Sequence, residues 1–358
     1  CIRDRIKGSN GVYKTEPLKA FGNIGFGIIS NDRQDNTSNK NGVAMIQSFF
    51  NGQKALEIDF KRFSFEESKH INRFIDYTYF RNHKQRIQKL FIEENNPLSL
   101  FTFNENKGQI NIEESTNNVF AIDILDFKGN KTQLKIPILG QFVDLPSKPE
   151  TISNRRHIYA DKSTTLRSNS IWIDIAANTF YEDLSLDLKV QNDTLVLKPK
   201  DIPLQKSITI NFNVEKYDEN DIGQLYIASV SDYGKLYYTP TKRKGDTLTA
   251  RSKYLGTYTL SSDTKGPIIK AQNFKNGSWL SKKAFLKVKI LDVTSGVKNY
   301  RATINGNWIL MEYDPKTNRI IHDFSDGIVN TIENNLKVIV TDNVGNSSKF
   351  EATFYRKN

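Results

Sequence analysis

Short runs of alternating apolar and polar residues, separated by clusters of Asn, Gly and Asp, fill most of this chain. A period of two predicts half-buried β-strands joined by tight turns. In the first third the pattern gives strands over 24–30, 43–50, 55–60 and 119–125, and this stretch closes at Lys135-Ile-Pro-Ile138. One segment, near 64–80, breaks the period and predicts a helical insertion. Ser64-Phe-Glu-Glu67 reads as a capping box, and Ile71, Phe74 and Ile75 then fall on one helical face. Further strands are predicted over 172–175, 184–190, 194–198, 208–214, 225–230, 236–238 and 256–260, the regular spacing of a β-sandwich. The last stretch gives strands around Trp279 and over 285–291, 300–304, 308–313, 319–324, 336–341 and 349–355. The expected fold class is all-β: tandem immunoglobulin-like β-sandwich modules, the first with a short helical insertion. Their bounds are read as 14–140, 154–262 and 263–358. A linker carrying Pro146 and Pro149 lies at 141–153, and a short leading segment at 1–13.

The same order of signals occurs twice. Gly27-Ile-Ile-Ser-Asn-Asp32, Gly42-Val43, Asn51-Gly52 and Asp126-Phe-Lys-Gly-Asn130 are echoed by Lys287-Val-Lys-Ile-Leu-Asp292, Gly296-Val297, Asn305-Gly306 and Asp342-Asn-Val-Gly-Asn346. That is the mark of a duplicated β-module. In each D-x-x-G-N corner the Asp side chain accepts backbone N–H groups just ahead of it, and Gly supplies positive φ. Asp126, Gly129, Asn130, Asp342, Gly345 and Asn346 are therefore read as structural turn residues. A calcium loop is the functional alternative, since Asp and Asn oxygens are hard ligands. Against it, neither corner holds a ligand-spaced acidic run. The pairs Asp123/Asp126 and Asp323/Asp326 are read as solvated turn residues.

Composition narrows the class. At 358 residues the chain is long for one core, and 37% hydrophobic with 15 Tyr and 22 Phe suits folded, strand-rich modules rather than disorder. No apolar run is long enough to span a bilayer. The formal net charge of +11 favours anionic partners, namely nucleic acid, lipid headgroups or a cell-wall polymer, without choosing among them. The single cysteine is residue 1, so no disulfide or Cys-based zinc site can form within the chain. Cys1-Ile-Arg-Asp-Arg5 resembles translated sequencing-adapter read-through, and an open fragment with native sequence from near residue 6 is expected.

Catalytic signatures are sparse. The four histidines, His70, His83, His157 and His322, show neither H-x-H nor H-E-x-x-H spacing. His157/Asp161 and His322/Asp326 have H-x-x-x-D spacing, each without a second histidine nearby. There is no G-x-S-x-G elbow, P-loop or dinucleotide fingerprint. Gly22-Asn-Ile-Gly-Phe-Gly27 leads into a strand, so it offers no helix N-terminus to a phosphate. What remains is the basic segment Arg81, Lys84, Arg86 and Lys89 beside Tyr77 and Tyr79, a candidate contact for a polyanion or glycan. A solvated face with core aromatics is its plain alternative. Lys242-Arg-Lys244 is read as a charged hairpin tip.

The segments 60–77 and 86–100, with Asp126–Asn130, 291–297, 308–313 and 341–346, resemble the C-terminal region of M23-family (LytM/lysostaphin-like) zinc metallopeptidases of Bacteroidetes type. The resemblance runs from about residue 14 to near the end. It implies a parent enzyme that cuts peptidoglycan cross-links, with zinc held by an upstream H-x-x-x-D and H-x-H. That H-x-H is absent here, so no catalytic, cofactor or metal residue is assigned to this chain, and zinc belongs to the missing domain. The expected role is then non-catalytic: positioning or regulating the upstream peptidase domain at the cell wall, in the periplasm or outside the cell. Its partners would be that domain and peptidoglycan or another anionic envelope polymer. The alternative is a stand-alone cell-surface adhesion or glycan-binding protein of immunoglobulin-like modules. Nucleic-acid binding through Arg81–Lys89 is a weaker third, with no known binding pattern behind it.

Overall fold

On either side of Asp126 the alternating sequence forms one long hairpin, Asn117–Leu125 against Lys131–Gly140. The computed structural model describes residues 6–7, 11–33, 38–143 and 155–357. Cys1–Arg5 and most of the expected linker lie outside the described residues. The hairpin pairs next with Met45–Phe50, then Gln53–Asp59, then Phe101–Phe103. Every second residue turns inward, so Ile46, Ile58, Phe120 and Ile122 meet in one core. Phe120 stacks on Phe26 with ring centroids 4.2 Å apart.

The rest of this core comes from shorter pieces. Phe74 and Ile75 enter it from the helical insertion, which runs as a 3₁₀ turn Glu67–His70, then helices Ile71–Phe74 and Tyr77–His83. The strand expected over 24–30 is instead broken into Gly22–Ile24, paired with Ile110–Ile112, and Gly27–Ile28, paired with Gln88–Lys89. The ring of Phe91 lies where a Cβ on Gly25 would meet it at 2.4 Å, so the chain crosses that ring at the break.

In the middle stretch a six-stranded sheet faces a five-stranded sheet. Between them Ile173, Leu195, Leu197, Ile210, Phe212 and Ile227 are fully buried. The C-terminal stretch repeats the plan with four- and five-stranded sheets around Leu286, Val288, Val338 and Phe354. The molecule is thus an all-β series of sandwich modules. No helix among the described residues is long and apolar enough to cross a membrane.

Half of the sequence repeat is structural. The last module sets Ser347–Tyr355, Glu333–Asp342, Val297–Ile304 and Asn307–Trp308 side by side. The first module has the same succession of a corner hairpin, a strand, an Asn-Gly turn and a further strand. Asn51 and Gly52 have φ of 48° and 86°, and Asn305 and Gly306 have 50° and 83°. These positive values suit the turn that matches strand twist. Asn51 Oδ1 accepts the Val119 amide and Asn305 Oδ1 accepts the Asn335 amide. The leading strand of the repeat is not kept. Phe285–Leu291 before Asp292 is a full strand in a second sheet, whereas Asp32 sits in a two-residue ribbon with Lys40–Asn41.

Candidate functional site

The aromatic and basic segment is shaped by its caps. Asp76 accepts the Tyr79 amide at 2.9 Å and so opens the Tyr77–His83 helix. Lys84 closes it in the left-handed region at φ 60°. One turn apart on this helix, Tyr79 and His83 stack with centroids 4.1 Å apart. Arg81 reaches out of the first module and lies 5.1 Å from the ring centroid of Tyr254 in the middle one. Arg86 covers Phe80 at 4.7 Å. Lys84 is exposed and donates to the Arg81 carbonyl at 3.0 Å.

Two of the six expected contact residues are not on this surface. Tyr77 is buried in the joint, where desolvation pushes its hydroxyl up in pKa. Lys89 turns inward and pairs with Glu93 at 2.7 Å. The surface is therefore Tyr79, Arg81, Lys84 and Arg86, with Tyr254 added from a distant part of the sequence. Beside it Lys200 holds Asp232, whose carboxyl is lowered chiefly by that hydrogen bond and further by Arg81 and Lys84.

The same insertion fastens the first module to the middle one. His70 Nδ1 meets the Tyr181 hydroxyl at 2.8 Å in a buried contact. Burial pushes that hydroxyl up to about 12 and holds His70 below its usual value. Arg73 donates to Glu182 at 2.9 Å and to the Glu94 carbonyl at 3.2 Å. Its Nε is 3.0 Å from Glu93 Oε2 but out of line, which makes an ion pair rather than a hydrogen bond.

The other histidines are placed separately. His83 is exposed on its helix. His157 packs edge-on to Tyr159 and pairs with Asp183, not Asp161. His322 is buried, with Nδ1 3.0 Å from the Leu310 carbonyl and 3.7 Å from Asp326.

Both D-x-x-G-N corners are Asx turns with one bonding scheme. Asp126 Oδ1 accepts the amides of Lys128 and Asn130, and Asn130 Nδ2 reaches Oδ2 at 2.6 Å. Asp342 Oδ1 accepts the amides of Val344, Gly345 and Asn346, and Asn346 Nδ2 reaches Oδ2 at 2.8 Å. Gly129 and Gly345 take φ of 85° and 106°. The corners differ in surroundings: Asp126 is half-buried at the surface and Asp342 is fully buried.

Two readings need correction. Asp123 is no turn residue: it is a buried strand position bound by Lys131 and Gln133, each at 2.6 Å. Asp323 and Asp326 are exposed turn residues as expected: Asp323 ends a strand and caps the short turn after it through the Ser325 amide. Lys242–Lys244 lie in the Thr241–Lys244 strand, and the hairpin tip is Gly245-Asp246.

Around Asp342 the structure gathers a group that sequence spacing does not show. Carboxylate oxygens of Asp263, Asp292 and Asp342 lie within 4.8 Å of one another. These oxygens are the described residues' one such group that could hold a metal ion.

Residues 155–263 match the Zu5-like domain family model. No curated protein matches the sequence. Among solved structures, fibronectin(III)-like modules of Clostridium thermocellum CbhA are similar at 12% identity, over 42% of this chain and 86% of that one, with a TM-score of 0.21. SGBP-B of the Bacteroides ovatus mixed-linkage glucan utilization locus, solved with a mixed-linkage heptasaccharide, aligns over 100% of this chain and 68% of its own. Its identity is 8% and its TM-score 0.18. The insect immune protein hemolin aligns over 99% and 77%, at 8% identity and a TM-score of 0.18.

Proposed function

We propose that this chain is a cell-surface or secreted β-sandwich protein that binds an anionic glycan along the joint of its first two modules. One observation carries the reading. Arg81 is held over the Tyr254 ring across that joint, with exposed Lys84 and Arg86 and the Tyr79–His83 stack beside it. Cations and rings fixed on a capped helix between two cores suit a polymer with repeating charges and flat sugar faces. The net charge of +11 adds attraction at longer range, which salt screens.

The test is affinity electrophoresis of the full chain through gels containing polygalacturonate or neutral mixed-linkage glucan. Retardation is expected in polygalacturonate. It should fall as salt rises, and fall again in a triple Arg81→Ala, Lys84→Ala, Arg86→Ala variant. No retardation in either gel sinks the proposal. So does retardation in neutral glucan alone that the triple variant leaves unchanged.

The resemblance to the C-terminal region of M23-type peptidases supports a second reading, in which the modules carry a peptidase domain and hold it against the cell wall. Sequencing the gene upstream of residue 6 tests it. An H-x-x-x-D and H-x-H domain there supports the reading, and a start codon directly upstream rejects it.

A further inference from the structure

We propose that Asp263, Asp292 and Asp342, with the hydroxyl of Ser295, form a binding site for a calcium-class divalent cation at the joint between the middle and C-terminal modules. Their carboxylate oxygens lie within 4.8 Å of one another. Asp342 and Asp263 are buried, and Asp292 is half-buried. Like charges this close, out of water, repel strongly unless a cation or proton joins them. None of the three is ion-paired with a lysine, arginine or histidine among the described residues.

Turn formation does not account for the cluster. Asp126 makes the same Asx turn with the same Asn partner and belongs to no such group among the described residues. The corner therefore needs neither Asp263 nor Asp292. Their own amide partners are local or adjoining: Thr294 and Gly296 for Asp292, Lys265 and Ser295 for Asp263. Each acceptance uses one lone pair, and a carboxylate has several.

Ser295 is the independent sign of a ligand. Its amide binds Asp263 Oδ2 at 3.1 Å, which sets the residue against the cluster. It is 1% exposed, and its Oγ has no hydrogen-bond partner among the described residues. A buried hydroxyl left without a partner loses its hydration with nothing in return, and a cation amid the carboxylates would satisfy it. The donors are all oxygen, which suits calcium and excludes the nitrogen and sulfur sites preferred by zinc.

Placement gives the site a purpose. Asp263 is the last residue of the Zu5-like match, and its amide donates to Gln224 of the middle module at 3.0 Å. Asp292 and Asp342 belong to the C-terminal module. A shared cation ties the two modules at this point.

The experiment uses the full chain after EDTA treatment, titrated with calcium chloride by calorimetry and followed by thermal unfolding. One calcium per chain is expected, with a dissociation constant at or below ~1 mM and a melting temperature that rises with calcium. Magnesium should bind at least about tenfold more weakly, because it demands a regular octahedron. Asp292→Asn keeps an acceptor for the Thr294 and Gly296 amides, so it should fold, and it should weaken calcium binding by about tenfold or more. Asp263→Asn, which keeps an acceptor for only one of the Lys265 and Ser295 amides, should also weaken calcium binding, and Asp126→Asn should leave calcium binding unchanged. The proposal fails if the wild type shows no calcium heat or shift up to ~10 mM. It also fails if Asp126→Asn weakens binding as much as Asp292→Asn, or if magnesium matches calcium. Stability that rises on acidification and ignores calcium assigns a shared proton to the cluster instead, and overturns the cation.

Discussion

Glu67 and Ser64 close on each other at the start of the insertion. The Ser64 amide donates to Glu67 Oε2 at 3.0 Å, and the Glu67 amide donates to Ser64 Oγ at 3.2 Å. The Ser99 amide adds a bond to Oε1 at 2.8 Å. The Ser64 amide first, then Ser99, lowers the Glu67 carboxyl from 4.5 to about 2. A carboxylate lowered on folding stabilises the fold above its unfolded value, and that share is lost as pH falls through the folded value. The window here is pH 4.5 down to about 2. The carboxylate is screened by solvent, so the effect is small. Denaturant midpoints of the wild type and Glu67→Gln should differ above the window and converge within it. A constant gap down to pH 2 would show that the carboxylate does not supply it. This box, and the D-x-x-G-N corners, could be read from sequence because the bonds that define them span four residues or fewer, the added Ser99 bond apart. Asp123 could not: a strand over 119–125 is legible, but the pattern does not reveal that position 123 is covered on its own face.

Hairpins follow the same logic over longer spans. Strand positions were legible wherever a period of two had turn residues on both sides, as at Thr194–Lys198, Leu225–Val230 and Phe285–Leu291. The strand Thr164–Ser168 was missed because its only buried position is Leu166. Pairing across the first module depends on what its central strand buries. Phe120 is fully buried, stacks on Phe26, and sits opposite Phe50 on one side and Ile136 on the other. Phe120→Ala should cost about 3–5 kcal/mol by lost transfer energy and the cavity it leaves. Chemical denaturation of the full chain should show the loss in the first module, while the C-terminal module, whose core is separate, keeps its midpoint. A loss below about 1 kcal/mol would mean that the site collapses around the missing ring.

At the scale of the whole molecule, the joints set how three cores behave as one object. The helical face of Ile71, Phe74 and Ile75 was visible in sequence as a period. Its neighbours His70 and Arg73 face a different module, and their partners Tyr181 and Glu182 lie 111 and 109 residues away, beyond any local pattern. The Asp263 cluster was hidden for the same reason: its members stand at the ends of three strands far apart in the chain. His70 gives the first joint a pH dependence. Burial, then Lys69, holds its imidazole below the usual 6.5, while Glu67 opposes them. The unfolded chain therefore takes up a proton first as pH falls below 6.5, and the folded joint loses stability until its own lower value is reached. Docking of the first module should be firmest above pH 6.5 and should loosen on mild acidification. Tyr181→Phe removes the hydroxyl partner of His70 Nδ1 and should cost about 1–3 kcal/mol at neutral pH. Hydrogen exchange over residues 67–83 reads both effects: faster exchange in Tyr181→Phe at pH 7, and faster exchange in the wild type at pH 5 than at pH 7 after correction for the intrinsic rate. If neither condition opens this segment, the Arg73 pair with Glu182, which Glu93 helps to position from within the first module, holds the joint without His70. Arg73→Met, which keeps the stem but not the charge, is then the substitution that should release it.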